Sequence, residues 1–480
     1  MSEQGFGRRK FLVNAAQGAM AVPALATIGS AQDATKKAAR VTAPAEANKP
    51  TKAAAPSKPA VTLNVRDFGA TGDGQTKDTV AIQQALDRCG VLGGGEVVVP
   101  AGNYSTGSVF LRSNVTLRLE KEASLLGTAD FADFAVSQVR WEGKWIQGHV
   151  GLVSAIDADR VSIVGPGSLI GNPALGGRPN AQNPLRHPCV VEFINCNDVR
   201  LEDFTTSNRL MWSIHPTYCE RVSIKNLTVN ATGGNGDGVD IDSCKHVVID
   251  GCKFSTGDDC ISLKSGRGEE AYKLMRTTED VVISNCTFED ANFACIGIGS
   301  ELSGGVRNTR IEHCKFTGAK SFAIYIKSRT GRGAFIEDIT ADDLDVSGMK
   351  QGFLRINVLN SGIQDQDPVP GDEGIPALKN LRFTNVRVKD MPTLVDATAI
   401  HPNKPLDGLT LSNISGTCAK GIYLANAKQV KLSAIKVKAT DGPLLNTINV
   451  TGVGLTGTAK IDAPKLPDPV PEPAEPYKLH

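Results

Sequence analysis

The chain lacks an excess of charge of either sign. Its 480 residues carry 52 Lys and Arg against 51 Asp and Glu, a net charge of +1. No global field therefore draws in nucleic acid or an anionic membrane. Aromatic residues make up only 5% of the chain, which suits many short strands and turns better than an aromatic-rich sandwich. The 11 cysteines include no C-x-x-C spacing, so a zinc cluster is not indicated. Their number is odd, so they cannot all pair internally. The glycine-rich run Gly69-Ala-Thr-Gly-Asp-Gly74 is not followed by Gly-Lys-Ser/Thr, which excludes a phosphate loop. Neither a Ser-His-Asp order nor a nucleotide fingerprint is present.

Both ends read as segments without a core. Arg8-Arg9-Lys10 precedes an Ala-rich apolar stretch from Val13 to Ile28, and Gly29-Ser30-Ala31 offers a small-residue cleavage site. Residues 1–31 are thus expected to be a twin-arginine-type export signal, giving a periplasmic or extracellular protein. The stretch is too short and Ala-rich for a good membrane span. Residues 32–60, rich in Ala, Lys and Pro, read as a flexible linker, and residues 461–480 as a Pro-rich tail.

Between them glycine is abundant, at 49 residues, and a strand pattern recurs. It appears as VRLEDFTT from Val199, VSIKNLTV from Val222, VVIDGCKF from Val247 and VVISNCTF from Val281. It continues from Thr309, Ile339, Leu381, Leu409 and Val430. Each unit alternates apolar and polar residues, turns a polar corner, then alternates again. Starts mostly ~20–30 residues apart mark a solenoid, since one coil cannot bury its apolar face alone. The expected fold is all-β: a right-handed parallel β-helix over residues 61–460. The spacing of a leucine-rich repeat and a propeller's blade signature are both missing. Thr79 to Cys89 is expected to form a capping helix with Ile82, Ala85, Leu86 and Cys89 on one face, ended by Gly90. Cys252, Cys286 and Cys314 share one slot in three successive units and read as a buried column of free thiols.

The chemistry concentrates between Asn235 and Ser265, in NGDGVDIDSCKHVVIDGCKFSTGDDCISLKS. Two acidic groups, Asp237 with Asp240 and Asp242, then Asp258-Asp259, lie one strand and two turns apart. A solenoid of that period brings both to the same edge. Converging carboxylates raise one another's pKa. A raised acid beside an ionised base is the arrangement that hydrolyses a glycosidic bond. Single Asp residues here read equally as turn formers. The Asp258-Asp259 pair, echoed by Asn235-Gly-Asp237, favours a site.

These motifs resemble glycoside hydrolase family 28, the polygalacturonase and pectin-degrading group. The resemblance spans residues 61–440 and rests on NVRDFGATGDGQTKDTVAIQQALD, RWEG from Arg140, WSIHP from Trp212, NGDGVDID, TGDDCISLKSG, IGSELSGGVRN from Ile298 and the IKSRTGRG run from Ile326. It implies a parallel β-helix that hydrolyses a polysaccharide or oligosaccharide of the pectic type with inversion, degrading cell-wall material without a cofactor or metal. It implies Asp258 as general acid and Asp237 and Asp259 as activators of water. Asn235 takes a substrate-binding place, and Lys327 is matched to a substrate carboxylate. Two departures stand out. Phe293-Ala294-Cys295 replaces the family's Gly-His-Gly, with Phe293 read in the histidine's place. Tyr325-Ile326-Lys327 replaces Arg-Ile-Lys, so one carboxylate-binding cation is lost. A rhamnogalacturonan-directed, neutral-sugar-directed or exo-acting hydrolase becomes plausible, with Arg329 or Arg332 in the lost cation's role or in a solvated loop.

Further expectations concern the rim of the site. Glu301 contacts sugar hydroxyls or forms an edge charge, and Tyr325 stands in the substrate-binding set. His215 lines the cleft or packs. Trp141 and Trp145 stack on sugars or lie buried. His149, His246 and His313 are expected at the surface or edges. The acid and base carboxyls are expected roughly 6.5–9.5 Å apart, as inversion ordinarily requires. The competing readings are a Ca²⁺-dependent pectate-lyase-like β-eliminase and an inactive carbohydrate-binding solenoid. No nucleic-acid partner is expected, and the chain is read as a monomer.

Overall fold

A computed structural model describes residues 61–179, 184–209 and 211–467. The expected signal and linker lie outside the described residues, as does the tail beyond residue 467. Residues 461–467 carry no strand or helix. Among the described residues no helix is long and apolar enough to cross a membrane.

Strands run from Thr62 to Lys460, and all but one hairpin join a single parallel sheet system. Each central coil contributes three strands. The second expected unit, for example, becomes Glu220–Lys225, a corner, then Thr228–Thr232. These pair in register with Lys245–Asp250 and Lys253–Thr256 of the next coil. The architecture is the expected right-handed parallel β-helix.

The polar corners have a backbone cause. Asp203, Asn226, Gly251, Asn285, His313, Asp343, Asn385 and Asn413 occupy the same slot in successive coils, and all have φ between 51° and 68°. That left-handed region is open to Gly and tolerated by Asn, Asp and His. The side chains also join coil to coil. Asn226 Nδ2 donates to Asp203 Oδ1 at 3.0 Å, and Asn285 Nδ2 to Asp250 Oδ1 at 2.7 Å.

Inside, the alternation fills one continuous core. Phe254, Phe288 and Phe316 stack with centroids 5.4 and 4.7 Å apart. Each such fully buried ring is worth roughly 1.5–3 kcal/mol. Beside them Cys252, Cys286 and Cys314 are buried and free, and so are the other eight cysteines.

Helix α1 covers the first coil, with Ile82, Ala85, Leu86 and Cys89 buried. It spans Thr79–Val91, two residues beyond the expected end at Cys89. Gly90 does not stop it. A Cβ there would lie 2.7 Å from Arg112 Cβ, so Gly90 serves close packing against the coil.

Candidate active site

One sheet of the solenoid carries the site. Its strands Val239–Asp242, Ile261–Lys264, Ile296–Ile298 and Phe322–Lys327 pair in succession, with Val239, Ile261, Ile296 and Ile324 in register. Asp237, Asp259 and Ala294 each stand two residues before such a strand. The backbone joins them there: Gly238 N–H donates to Asp259 O at 3.0 Å, and Cys260 N–H to Ala294 O at 3.1 Å. The spacing of the two acidic motifs, read against one coil, thereby becomes adjacency.

Asp237, Asp258 and Asp259 converge: one carboxylate oxygen from each lies within 4.8 Å of the others. This is below the expected 6.5–9.5 Å. The cause is local. Asp258 and Asp259 are consecutive at a tight turn, where Asp259 N–H donates to Asp258 Oδ1 at 3.0 Å.

Their surroundings differ. Asp259 is buried and accepts from Lys327 Nζ at 2.6 Å, Ser262 Oγ at 2.7 Å and the Ala294 amide at 3.1 Å. Asp258 is half-buried and lines the pocket. Burial, then the Asp259 charge, pushes its pKa up to about 6. Burial raises Asp237 well above the carboxylate range, and Asp240 and Asp258 add to the shift. Asp240, buried with neither oxygen hydrogen-bonded, is pushed up to about 7, chiefly by burial. Such close carboxyls titrate as a set.

The pocket around them, of about 160 Å³, is lined by Asn235, Lys264, Glu301 and Lys327, with Glu142, Arg178 and Trp212 on one side and Gly362 and Ile363 on another. Thus Asn235, Glu301 and Lys327 reach the pocket, as expected. Lys327, however, is engaged by Asp259 rather than held ready for a substrate. Glu301 faces Lys264 at 3.3 Å. Burial alone would raise its pKa, but Lys264, Arg332 and Arg267 hold it below the usual range.

The other expectations divide: the packing alternative holds for His215 and Trp141, His246 and His313 lie at the surface as expected, and Tyr325, Arg332 and His149 are corrected. His215 lies outside the pocket lining, fully buried behind Trp212, with ring centroids 4.8 Å apart. Its Nδ1 lies 3.8 Å from Glu192, which forms a buried ion pair with Arg186. Tyr325 also lies outside the lining, stacked on Phe293 at 5.7 Å. Trp141 is buried against Trp212 at 4.8 Å, and Trp145 meets Tyr218 at 5.4 Å. Arg332 is fully buried, with Nε 3.0 Å from Asp365 Oδ2, so it braces a loop and is not solvated. Arg329 Nη1 donates to Gly362 O. His149 is buried, with Nδ1 3.1 Å from Phe134 O, whereas His246 and His313 are exposed and face Asp280 and Asp343. Within the substituted triplet the middle residue is Ala294, so the histidine's place is Ala294, not Phe293. Its amide serves Asp259, while the Phe293 ring lies 4.5 Å from Lys327 Nζ.

Several contributors escaped sequence reading. Lys264 sits inside a quoted motif, but nothing in its spacing marks it as facing Asp240 and Glu301. Gly297 is another: its register partners are Ser262 and Tyr325, and a Cβ there would lie 2.4 Å from Asp259 Oδ2. Glu142 and Arg178 arrive from an inserted antiparallel hairpin, Val136–Trp141 with Lys144–His149, and from a loop.

Known proteins resemble this chain in sequence and in fold. A probable polygalacturonase of Vitis vinifera is 30% identical over 387 residues, covering 78% of this chain and 76% of that protein. An exo-poly-alpha-D-galacturonosidase of Dickeya chrysanthemi is 25% identical, covering 72% and 64%. The crystal structure of a hyperthermoactive exopolygalacturonase from Thermotoga maritima shares the fold, with a TM-score of 0.69 and 24% identity over 79% of this chain and 93% of that one. The profile of glycosyl hydrolases family 28 matches residues 89–387. With that match over more than half its length, and the family's acidic motifs joined in one pocket, the chain belongs to glycosyl hydrolases family 28.

Proposed function

We propose that this glycosidase hydrolyses a pectic chain by acid and base catalysis, with Asp258 as acid and Asp259 as the base that orients water. The observation that carries the reading is the contrast within one cluster. Asp258 is the less buried of the pair, with its pKa pushed up to about 6, suited to hold a proton for the leaving oxygen. Asp259, 3.0 Å from it through its amide, is gripped by Lys327, Ser262 and Ala294. Asp237 completes the set. Its raised pKa makes it a second proton holder, so Asp259 bears the larger share of the base role. Inversion is proposed from the resemblance to the family, because carboxyl oxygens within 4.8 Å fall nearer the ~5 Å of retaining sites.

The action proposed is exo. One relative is an exo-poly-alpha-D-galacturonosidase, and Glu142, Arg178, Gly362 and Ile363 crowd the pocket beside the carboxylates. Export through a twin-arginine signal, and a monomeric state, remain part of the proposal.

The test follows reducing ends, ultraviolet absorbance, product size and product anomer by NMR on polygalacturonate and rhamnogalacturonan. Monomeric product of inverted configuration, with no absorbance, supports the reading. Absorbance signals elimination, a retained anomer overturns inversion, and a ladder of oligomers overturns exo action.

A further inference from the structure

The family's arginine for substrate carboxylates is replaced by Tyr325, and that ring lies outside the pocket, so a uronate must find its cation elsewhere. Among the described residues three cations line the pocket: Arg178, Lys264 and Lys327. Two are committed. Lys327, with its side chain 11% exposed, sits 2.6 Å from Asp259 Oδ2. Lys264, 6% exposed, lies 3.3 Å from Glu301 and 3.5 Å from Asp240. Taking either for substrate strips a buried carboxylate of its partner, which is costly.

Arg178 differs. Its side chain is 40% exposed, and its polar contact among the described residues is Glu142 Oε1, 2.9 Å from Nη1. Its guanidinium lies 5.9 Å from the Trp141 ring, which packs on Trp212 in the pocket wall. One engaged nitrogen leaves the rest of the fork for a planar anion.

We infer that Arg178 is the specificity residue of this site, receiving the carboxylate of the uronic acid ring that enters the pocket. The inference rests on the hydrolase reading but is tested apart from it. A partly exposed guanidinium contributes recognition in ground and transition states alike, so its loss appears in KM, not kcat.

The experiment measures KM and kcat of wild type, Arg178→Gln and Arg178→Lys on trigalacturonate and on its fully methyl-esterified form. Binding of both sugars is followed by calorimetry in an Asp258→Asn background. Hydrogen bonds to charged groups predict a ~10–100-fold weaker KM and Kd for the free acid in Arg178→Gln. The ester should change less than about threefold, kcat should hold, and Arg178→Lys should fall between. Equal changes for acid and ester, or none for either, overturn the inference. If wild type cleaves neither sugar, the hydrolase reading fails by itself, while the binding arm still decides Arg178.

Discussion

Lys327 reaches back two coils to Asp259, placing Nζ 2.6 Å from Oδ2. A residue matched by sequence to the substrate is thus bound to the proposed base. Removing it leaves a buried carboxylate without its charge partner. Lys327→Ala should therefore lower kcat by ~10–100-fold, with a smaller rise in KM. Steady-state kinetics on polygalacturonate separate the two. A pure KM effect returns Lys327 to substrate binding.

Asp258→Asn should remove the proton donor and keep the shape. Turnover should fall ~10²–10⁴-fold, the usual worth of general acid catalysis. Calorimetric binding and circular dichroism should stay near wild type. Near-normal turnover would falsify the assignment of the acid.

Protonation of Asp258 has a direction in pH. Its folded pKa is raised to about 6 by burial and Asp259, so the acid is armed below that pH and lost above it. kcat/KM should decline along an alkaline limb starting near 6, and the rate left in Asp258→Asn should lack that limb. The same shift acts on stability. A carboxyl whose pKa rises on folding stabilises the fold at low pH, and this is lost as pH climbs through the folded value. Tm should therefore fall between about pH 4 and 6 and level off above that, less steeply in Asp258→Asn.

Gly297 leaves the space that the Asp259 carboxylate fills. In Gly297→Ala the new methyl would stand 2.4 Å from Oδ2, forcing the base off Lys327. The expected loss is ~10²-fold in kcat with an ordinary melting curve, since misplacement by about 1 Å costs that much. Unchanged kcat shows that the base tolerates displacement.

The thiols give a structural check. All 11 cysteines are free and buried, and burial raises Cys189 beyond its ordinary range. Native protein should not react with a thiol reagent, and unfolding without reductant should release all of them. Thiols still blocked after unfolding indicate a disulfide or a modification.

The solenoid was legible because its cause is local and repeated. One Asn, Asp, Gly or His in the left-handed region at each corner, between alternating strands, can be read from Asp203 through Asn413 without any long-range knowledge. The meeting of Asp237 with Asp258 and Asp259 followed too, since a repeat of known period turns sequence spacing into adjacency. The column Cys252, Cys286, Cys314 is the same argument in the core.

Tertiary structure alone decided which charges stay exposed. Lys264, Lys327 and Arg178 look alike in the sequence and each pairs with a buried carboxylate, yet two are enclosed while Arg178 keeps its side chain 40% exposed at the pocket. His215 and Tyr325 belong to rows that the period correctly placed near the site. The packing of His215 against Trp212 and of Tyr325 against Phe293, which no pattern encodes, left both outside the pocket lining. The hairpin and loop that bring Glu142 and Arg178 interrupt the repeat, so their position depends on contacts far along the chain. Periodic residues are placed by the backbone and can be read in order. Inserted or charged ones are placed by whatever partner lowers the cost of burying them, and that partner appears only in three dimensions.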